Sequence, residues 1–146
     1  MGGISGYTTT YNCIEMGYPF IECIESLFGF CDEVIVVDAG STDKTLEALN
    51  LLRKKESRVK VFVEPVDFSH PRWAIHMDGC LKASSRAKCT GEFCWQTDSD
   101  EIVPPEDYYK IKTLPLLMQQ YSKHSILFLP MVEFWGSLKP GNSKCA

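Results

Sequence analysis

Four consecutive apolar residues, Val34, Ile35, Val36 and Val37, stop abruptly at Asp38. A strand with one wet face alternates apolar and polar residues, whereas an unbroken β-branched run suits a strand covered on both faces, as in a parallel sheet. The flanking segments supply the covers. Phe20, Ile21, Ile24, Leu27 and Phe28 fall at helical spacing with Glu22 and Glu25 on the other side, and Gly29 ends the helix. Leu46, Leu49 and Leu52 describe a second amphipathic helix that runs to about Lys55. With a first strand at Ile4 to Thr10 and a third at Val59 to Val63, the order is strand, helix, strand, helix, strand. That order implies right-handed βαβ units in a parallel sheet.

Residues 64 to 73 read as irregular, with Pro65 and Pro71, and a helix from Trp73 to Lys88 is softened at Gly79. Phe93 to Thr97 is a central strand. A short helix from Pro104 is expected to be interrupted near Pro115 and to resume through Gln120, before a strand at Ile126 to Val132 and a loop from Gly136. Residues 1–146 contain no repeat or linker, so the expected fold is one α/β domain, a three-layer sandwich around a mostly parallel sheet.

Composition narrows the function classes. Hydrophobic residues at 45% and charged residues at 23% are ordinary globular values. A net charge of −4, with no basic cluster larger than Arg53-Lys54-Lys55, argues against nucleic acid as a partner. The 7 cysteines are an odd number without a Cys-x-x-Cys pair, which fits reduced thiols and a cytoplasmic setting. Gly6 stands where a myristoylation signal has Ser or Thr, and the longest apolar runs fall far below the roughly 18 residues of a membrane span. A peripheral contact with membrane-bound substrate remains compatible with this composition.

In open parallel sheets ligands bind beyond the carboxyl ends of the strands. Three strands here end in polar residues: Thr10-Tyr11-Asn12, Asp38, and Asp98-Ser99-Asp100. Asp38 is suited to accept hydrogen bonds from ribose or base, and Tyr11 to stack on a base. Asp98 and Asp100, one residue apart beyond a strand end, offer hard oxygen ligands to Mg²⁺ or Mn²⁺ and leave room for phosphate oxygens. Together they describe a nucleoside-diphosphate pocket. The bland alternative is an acidic turn leading to a helix start at Pro104-Pro105-Glu106-Asp107.

Other phosphate motifs fail on inspection. Lys44-Thr45 superficially suggests a P-loop, but the two positions that require Gly are Asp38 and Asp43. No Gly-x-Gly-x-x-Gly follows the first strand, so a dinucleotide fold is disfavoured as well.

Three segments in order, Thr10-Tyr11-Asn12, Asp32 through Thr45, and Gly91-Glu92-Phe93 leading to Asp98-Ser99-Asp100-Glu101, resemble the donor-binding half of family 2 glycosyltransferases, which have the GT-A fold. The resemblance covers about residues 4 to 55 and 91 to 103. It implies transfer of a sugar from a nucleotide-diphosphate donor to an acceptor hydroxyl, glycan or lipid-linked, with inversion and with Mg²⁺ or Mn²⁺. Thr10 and Tyr11 match positions that line the nucleotide pocket, and Asp38 matches the acid that meets base or ribose. Asp98, Ser99 and Asp100 match the donor-contacting acid motif, with Asp98 and Asp100 as its metal ligands. Asp43 reads as a helix cap.

Two departures accompany the resemblance. The expected Arg-Asn segment is not clear between Trp73 and Gly91, which leaves Arg72 as the candidate diphosphate contact. The acceptor part is short or missing, and Glu133, the only acid after Val132, is the candidate base, with a rim carboxylate as the plain alternative. His70, His76 and His124 are scattered, and Trp73, Trp95 and Trp135 read as core or rim aromatics. The competing function is a non-catalytic or incomplete nucleotide-sugar-binding module, completed by a second copy or another chain. A sugar nucleotidyltransferase ranks last, because Thr8 to Asn12 lacks its Gly-rich loop.

Overall fold

The computed structural model describes residues 2–121 and 126–133. Strands β1 (Ile4–Thr10), β2 (Glu33–Asp38), β3 (Val59–Val63) and β4 (Phe93–Gln96) form one sheet in the order β3-β2-β1-β4. Every pairing is parallel, with Thr10 opposite Asp38 and Tyr7 opposite Gln96. All four carboxyl ends therefore lie on one rim. The architecture expected from the alternation of strands and helices is present.

Helices α1 (Cys13–Met16), α2 (Phe20–Leu27) and α3 (Thr45–Lys55) follow the first two strands. On one face of the sheet, Val34, Val36 and Val59 pack with Ile24, Leu27, Leu49 and Leu52. On the other, Tyr7, Ile35 and Val37 pack with Leu81, between α4 (Trp73–Ile75) and α5 (Lys82–Ala87). Val34 through Val37 are wholly buried, as a strand covered on both faces requires. Gly6 lets α2 approach β1 closely, since a Cβ there would stand 2.9 Å from Leu27 Cδ1 and 3.1 Å from Cys31 Sγ.

The softening expected near Gly79 is present as a π-helical turn, His76–Leu81, joining α4 to α5. Three expectations are corrected. Strand β4, expected to be central, lies at the edge of the sheet beside β1. Helix α6 (Tyr108–Tyr121) follows a 3₁₀ turn at Pro105–Asp107 and runs through Pro115 without a break. Ile111 and Leu114 pack into the core there, and this burial offsets the one backbone hydrogen bond the proline removes. Ile126 to Val132 joins no ladder, and its apolar side chains are exposed. An apolar run becomes a strand only where an edge receives it, and local pattern does not encode that. His124, Trp135 and the loop from Gly136 lie outside the described residues. No helix among the described residues is long and apolar enough to cross a membrane.

The amino ends of the strands are tied together by Glu33, which is buried at the start of β2. Its Oε1 accepts from Ser5 Oγ at 2.6 Å, Thr90 Oγ1 at 2.8 Å and the Thr90 amide, while Oε2 accepts from Lys60 Nζ at 2.6 Å. Burial works against the charge, but Lys60, Ser5 and Thr90 outweigh it and hold the carboxyl at about 2. A depressed carboxyl stabilises the fold above its unfolded value, and that contribution fades as pH falls from about 4.5 to about 2. Glu33→Gln keeps an acceptor but loses the charge, and should cost ~2 kcal/mol in urea unfolding at pH 7. The gap between variant and wild type should close by about pH 2. An equal gap at both pH values would refute the charge as its source.

Candidate functional site

Two exit loops interlock at the carboxyl rim. Asp38 is fully buried, and its carboxylate accepts four hydrogen bonds. Oδ2 accepts from Thr10 Oγ1 at 2.8 Å and Ser41 Oγ at 2.6 Å. Oδ1 accepts from the amides of Gly40 at 3.0 Å and Ser41 at 2.7 Å. Gly40 supplies the reversal this loop needs, with φ 91°, and a Cβ on it would stand 3.1 Å from Pro65 Cβ. Asn12, at φ 45°, is the left-handed residue that turns the chain after β1, a conformation asparagine tolerates better than most. Its amide donates to Ser41 Oγ at 2.9 Å, and its Oδ1 accepts from the Thr42 amide at 2.8 Å.

Asp43 ties two helix starts together. It accepts from the Thr45 amide at 2.8 Å, where α3 begins, and from the Glu15 amide at 2.9 Å in α1. Both interactions are structural, in line with a capping role.

The acid turn is braced from beneath. The Glu101 amide donates to Asp98 O at 3.1 Å and closes the turn, while Glu101 Oε2 accepts from the Asp98 amide at 2.8 Å and from Thr97 Oγ1 at 3.1 Å. Cys23 and Cys13, both fully buried, donate S–H to Asp98 O at 3.2 Å and to Ser99 Oγ at 3.7 Å. Burial pushes the Cys23 thiol up to about 12, so it stays a donor. Glu101 and Cys23 hold the backbone at Asp98 and Cys13 holds the Ser99 hydroxyl, so none of the three engages the carboxylates of Asp98 and Asp100. Asp100 is exposed, and no hydrogen bond or ion pair engages its side chain among the described residues.

Asp98 does have a partner. Lys82 Nζ lies 2.7 Å from Asp98 Oδ1 and 3.9 Å from Asp78 Oδ1. Burial disfavours the charge on Lys82, but the hydrogen bond to Asp98 outweighs it and raises the ammonium above its ordinary value. Asp98 thus sits under a cation delivered by the helix on the opposite layer.

Thr10, Tyr11, Asp38, Asp98, Ser99 and Asp100 stand at or just after strand ends on the carboxyl rim, with different freedoms. Thr10 and Asp38 are bonded to each other and buried. Tyr11 is half-buried with its ring 4.2 Å from Phe68, which in turn lies 5.6 Å from Trp73. Ser99 is linked to the β1 exit through Cys13, and Asp98 to α5 through Lys82. Arg72 is exposed at the start of α4, its amide donating to His70 Nδ1 at 3.1 Å. Glu133 is exposed in irregular chain, and among the described residues nothing joins it to the acid turn. A cavity of about 640 Å³ beside the rim is lined by Glu64, Asp67, His70 and His76, none of them predicted for the site.

Sequence reading missed Lys82, the loop-pinning role of Asn12, the brace from Glu101 and the two thiols. Asn12 carried a signal, since a polar turn former directly after a strand marks a reversal. Lys82 carried none, because one lysine in a polar helix is ordinary.

Solved structures share this arrangement. TarS of S. aureus superposes with a TM-score of 0.59 at 26% identity, covering 81% of this chain and 20% of that one. Its fragment 1–349, solved in complex with UDP, gives a TM-score of 0.59 at 26% identity over 82% of this chain and 32% of that one. The mannosyltransferase PcManGT from Pyrobaculum calidifontis, in complex with GDP-Man and Mn²⁺, shares the fold with a TM-score of 0.55 at 20% identity, over 73% of this chain and 30% of that one. The present chain therefore spans about a fifth to a third of the length of these structures. No curated protein matches it. With the parallel sheet and helical layers of the GT-A glycosyltransferases, and with residues 7–114 matching the family described as Glycosyl transferase family 2, the chain belongs to that family.

Proposed function

We propose that this chain binds a nucleoside-diphosphate sugar at the carboxyl rim of its sheet and serves metal-dependent, inverting transfer of the sugar to an acceptor hydroxyl. The observation that carries the reading is the acid turn. Glu101 and Cys23 hold the Asp98 peptide groups, while Asp100 is exposed, without a partner among the described residues, at the rim where β1 and β2 also end. TarS, solved with UDP, supports a uridine or related diphosphate as the donor class.

The donor chemistry of the turn fits a hard divalent cation. Carboxylate oxygens suit Mg²⁺ and Mn²⁺, and among the described residues no three His, Cys, Asp or Glu side chains are grouped into a complete cage. Asp100, assisted by Asp98, would hold the ion and leave positions for diphosphate oxygens. Bound there, it would supply charge neutralisation of the leaving diphosphate. The chain's own contribution is placement. Asp38 fixes Gly40 and Ser41 beside the nucleotide, and direct contact from its carboxylate requires the Thr10 or Ser41 hydroxyl to turn away. Tyr11, paired with Phe68, is the aromatic ring available to the base. Ser99 remains the hydroxyl between the two acids, and Glu133 the acid available to take the acceptor proton.

Titration calorimetry with UDP and GDP, each with and without Mn²⁺, tests this reading. Binding of one nucleotide that strengthens with Mn²⁺ is expected, and binding of neither in any condition would overturn it. The exposed, unconnected Glu133 favours a second reading, a donor-binding module whose acceptor half comes from a second copy or another chain. Donor binding without hydrolysis or transfer would select it.

A further inference from the structure

We propose that Lys82 is a resident counter-ion of the acid turn, one that a divalent cation must displace from Asp98 and that then meets the donor's diphosphate. The inference rests on the donor-site reading above and deepens it.

Lys82 opens α5 directly after the π-helical turn His76–Leu81. Such wide turns interrupt the helical register and re-aim the side chains that follow, and they recur at functional sites. Here the result is a lysine whose stem is enclosed and whose head points at the rim. Its side chain is 20% exposed, against 49% for Asp98 and 81% for Asp78. Ordinary surface pairs join two mobile, solvated side chains. In this one the cation is the anchored member and the acid the open one.

An ammonium 2.7 Å from Asp98 Oδ1 already neutralises that carboxylate. Two cations on one carboxylate repel each other strongly. A divalent ion that takes Asp98 as a ligand therefore displaces Lys82. The flexible lysine stem allows that, and three ammonium donors then face whatever anion arrives with the ion. A diphosphate is the anion the reading places there. Before donor and metal arrive, the same lysine compensates the charge of Asp98.

This role predicts effects of opposite sign, which a merely structural brace does not. Lys82→Met should tighten binding of Mn²⁺ alone by about tenfold, because a competing charge is gone. It should weaken UDP binding at saturating Mn²⁺ by about tenfold, because a phosphate partner is gone. Lys82→Arg should restore UDP affinity, and in an Asp98→Asn background the effect of Lys82→Met on Mn²⁺ should vanish. Both affinities are read by calorimetry on the full chain, with Lys82→Gln as a second neutral variant and thermal unfolding as the check on folding. Opposite shifts establish the inference. Weakening of both ligands would reduce Lys82 to a brace and overturn it. Unchanged Mn²⁺ affinity, or Mn²⁺ binding in neither wild type nor variant, would also overturn it. UDP binding that persists in chelator would then leave the donor reading standing, whereas loss of all nucleotide binding in the wild type is the failure of that reading instead.

Discussion

Asp100→Ala is expected to lower the affinity for the bound nucleotide in the presence of Mn²⁺ by roughly 100- to 1000-fold, while leaving stability within about 0.5 kcal/mol of wild type. The two halves of this result have different causes. Asp100 is exposed, and among the described residues no donor or cation engages its side chain, so nothing in the fold depends on it. Its neighbours hold the turn: Glu101 through the Asp98 amide, and Cys23 through the Asp98 carbonyl. A residue without a structural partner that nonetheless removes metal-dependent binding can only be acting on the ligand. Calorimetry with Mn²⁺ and the nucleotide bound by the wild type reads the first half, and urea unfolding reads the second. Unchanged affinity would remove the acid turn from the site. Asp98→Ala is a less informative probe, because it also releases Lys82.

The second large effect has the opposite character. Asp38→Ala should cost ~4 kcal/mol of stability and shift thermal unfolding down by roughly 15 °C. A carboxylate with no exposure accepts from the hydroxyls of Thr10 and Ser41 and from the amides of Gly40 and Ser41. Alanine leaves those donors facing each other across a small void, and each buried donor without an acceptor carries a desolvation penalty. Charge-assisted bonds are the stronger kind, so Asp38→Asn, which retains one acceptor and introduces a competing donor, should fall between. Urea unfolding of the three proteins ranks them. A loss for Asp38→Ala below about 1 kcal/mol would mean that the loop finds other partners, and would contradict the structure's hydrogen bonding.

The acid at Asp38 was recognisable from position alone, at the abrupt polar end of an apolar strand, but its environment was not. Ribose and base contacts are the expectation from its position, and the four protein donors around its carboxylate are what no stretch of consecutive residues announces. Residues Thr10 and Ser41 become its partners only because β1 and β2 lie side by side in register, Thr10 opposite Asp38. The same holds at the acid turn. Asp98 and Asp100 stand out as a pattern, whereas Cys13 and Cys23 look like generic buried cysteines until α1 and α2 fold beneath β4. Helix α1 itself, four residues long, is too short for any periodicity to announce. Pro115 misled in the other direction, since a local breaker was overruled by the packing of Ile111 and Leu114.

The class of fold, the parallel sheet, the shared rim and the acids that stand on it are legible in the order of residues. Hydrophobic period and strand-end chemistry are local properties, written in consecutive residues. Which of those acids gains a protein partner depends on how the elements pack. Asp38 is enclosed by its own loop, Asp98 is paired with a lysine from the opposite helical layer, and Asp100 is exposed with no partner among the described residues. Whether a carboxylate is paired depends on the charges and donors that other elements bring within about 3 Å, and spacing along the chain does not carry that information.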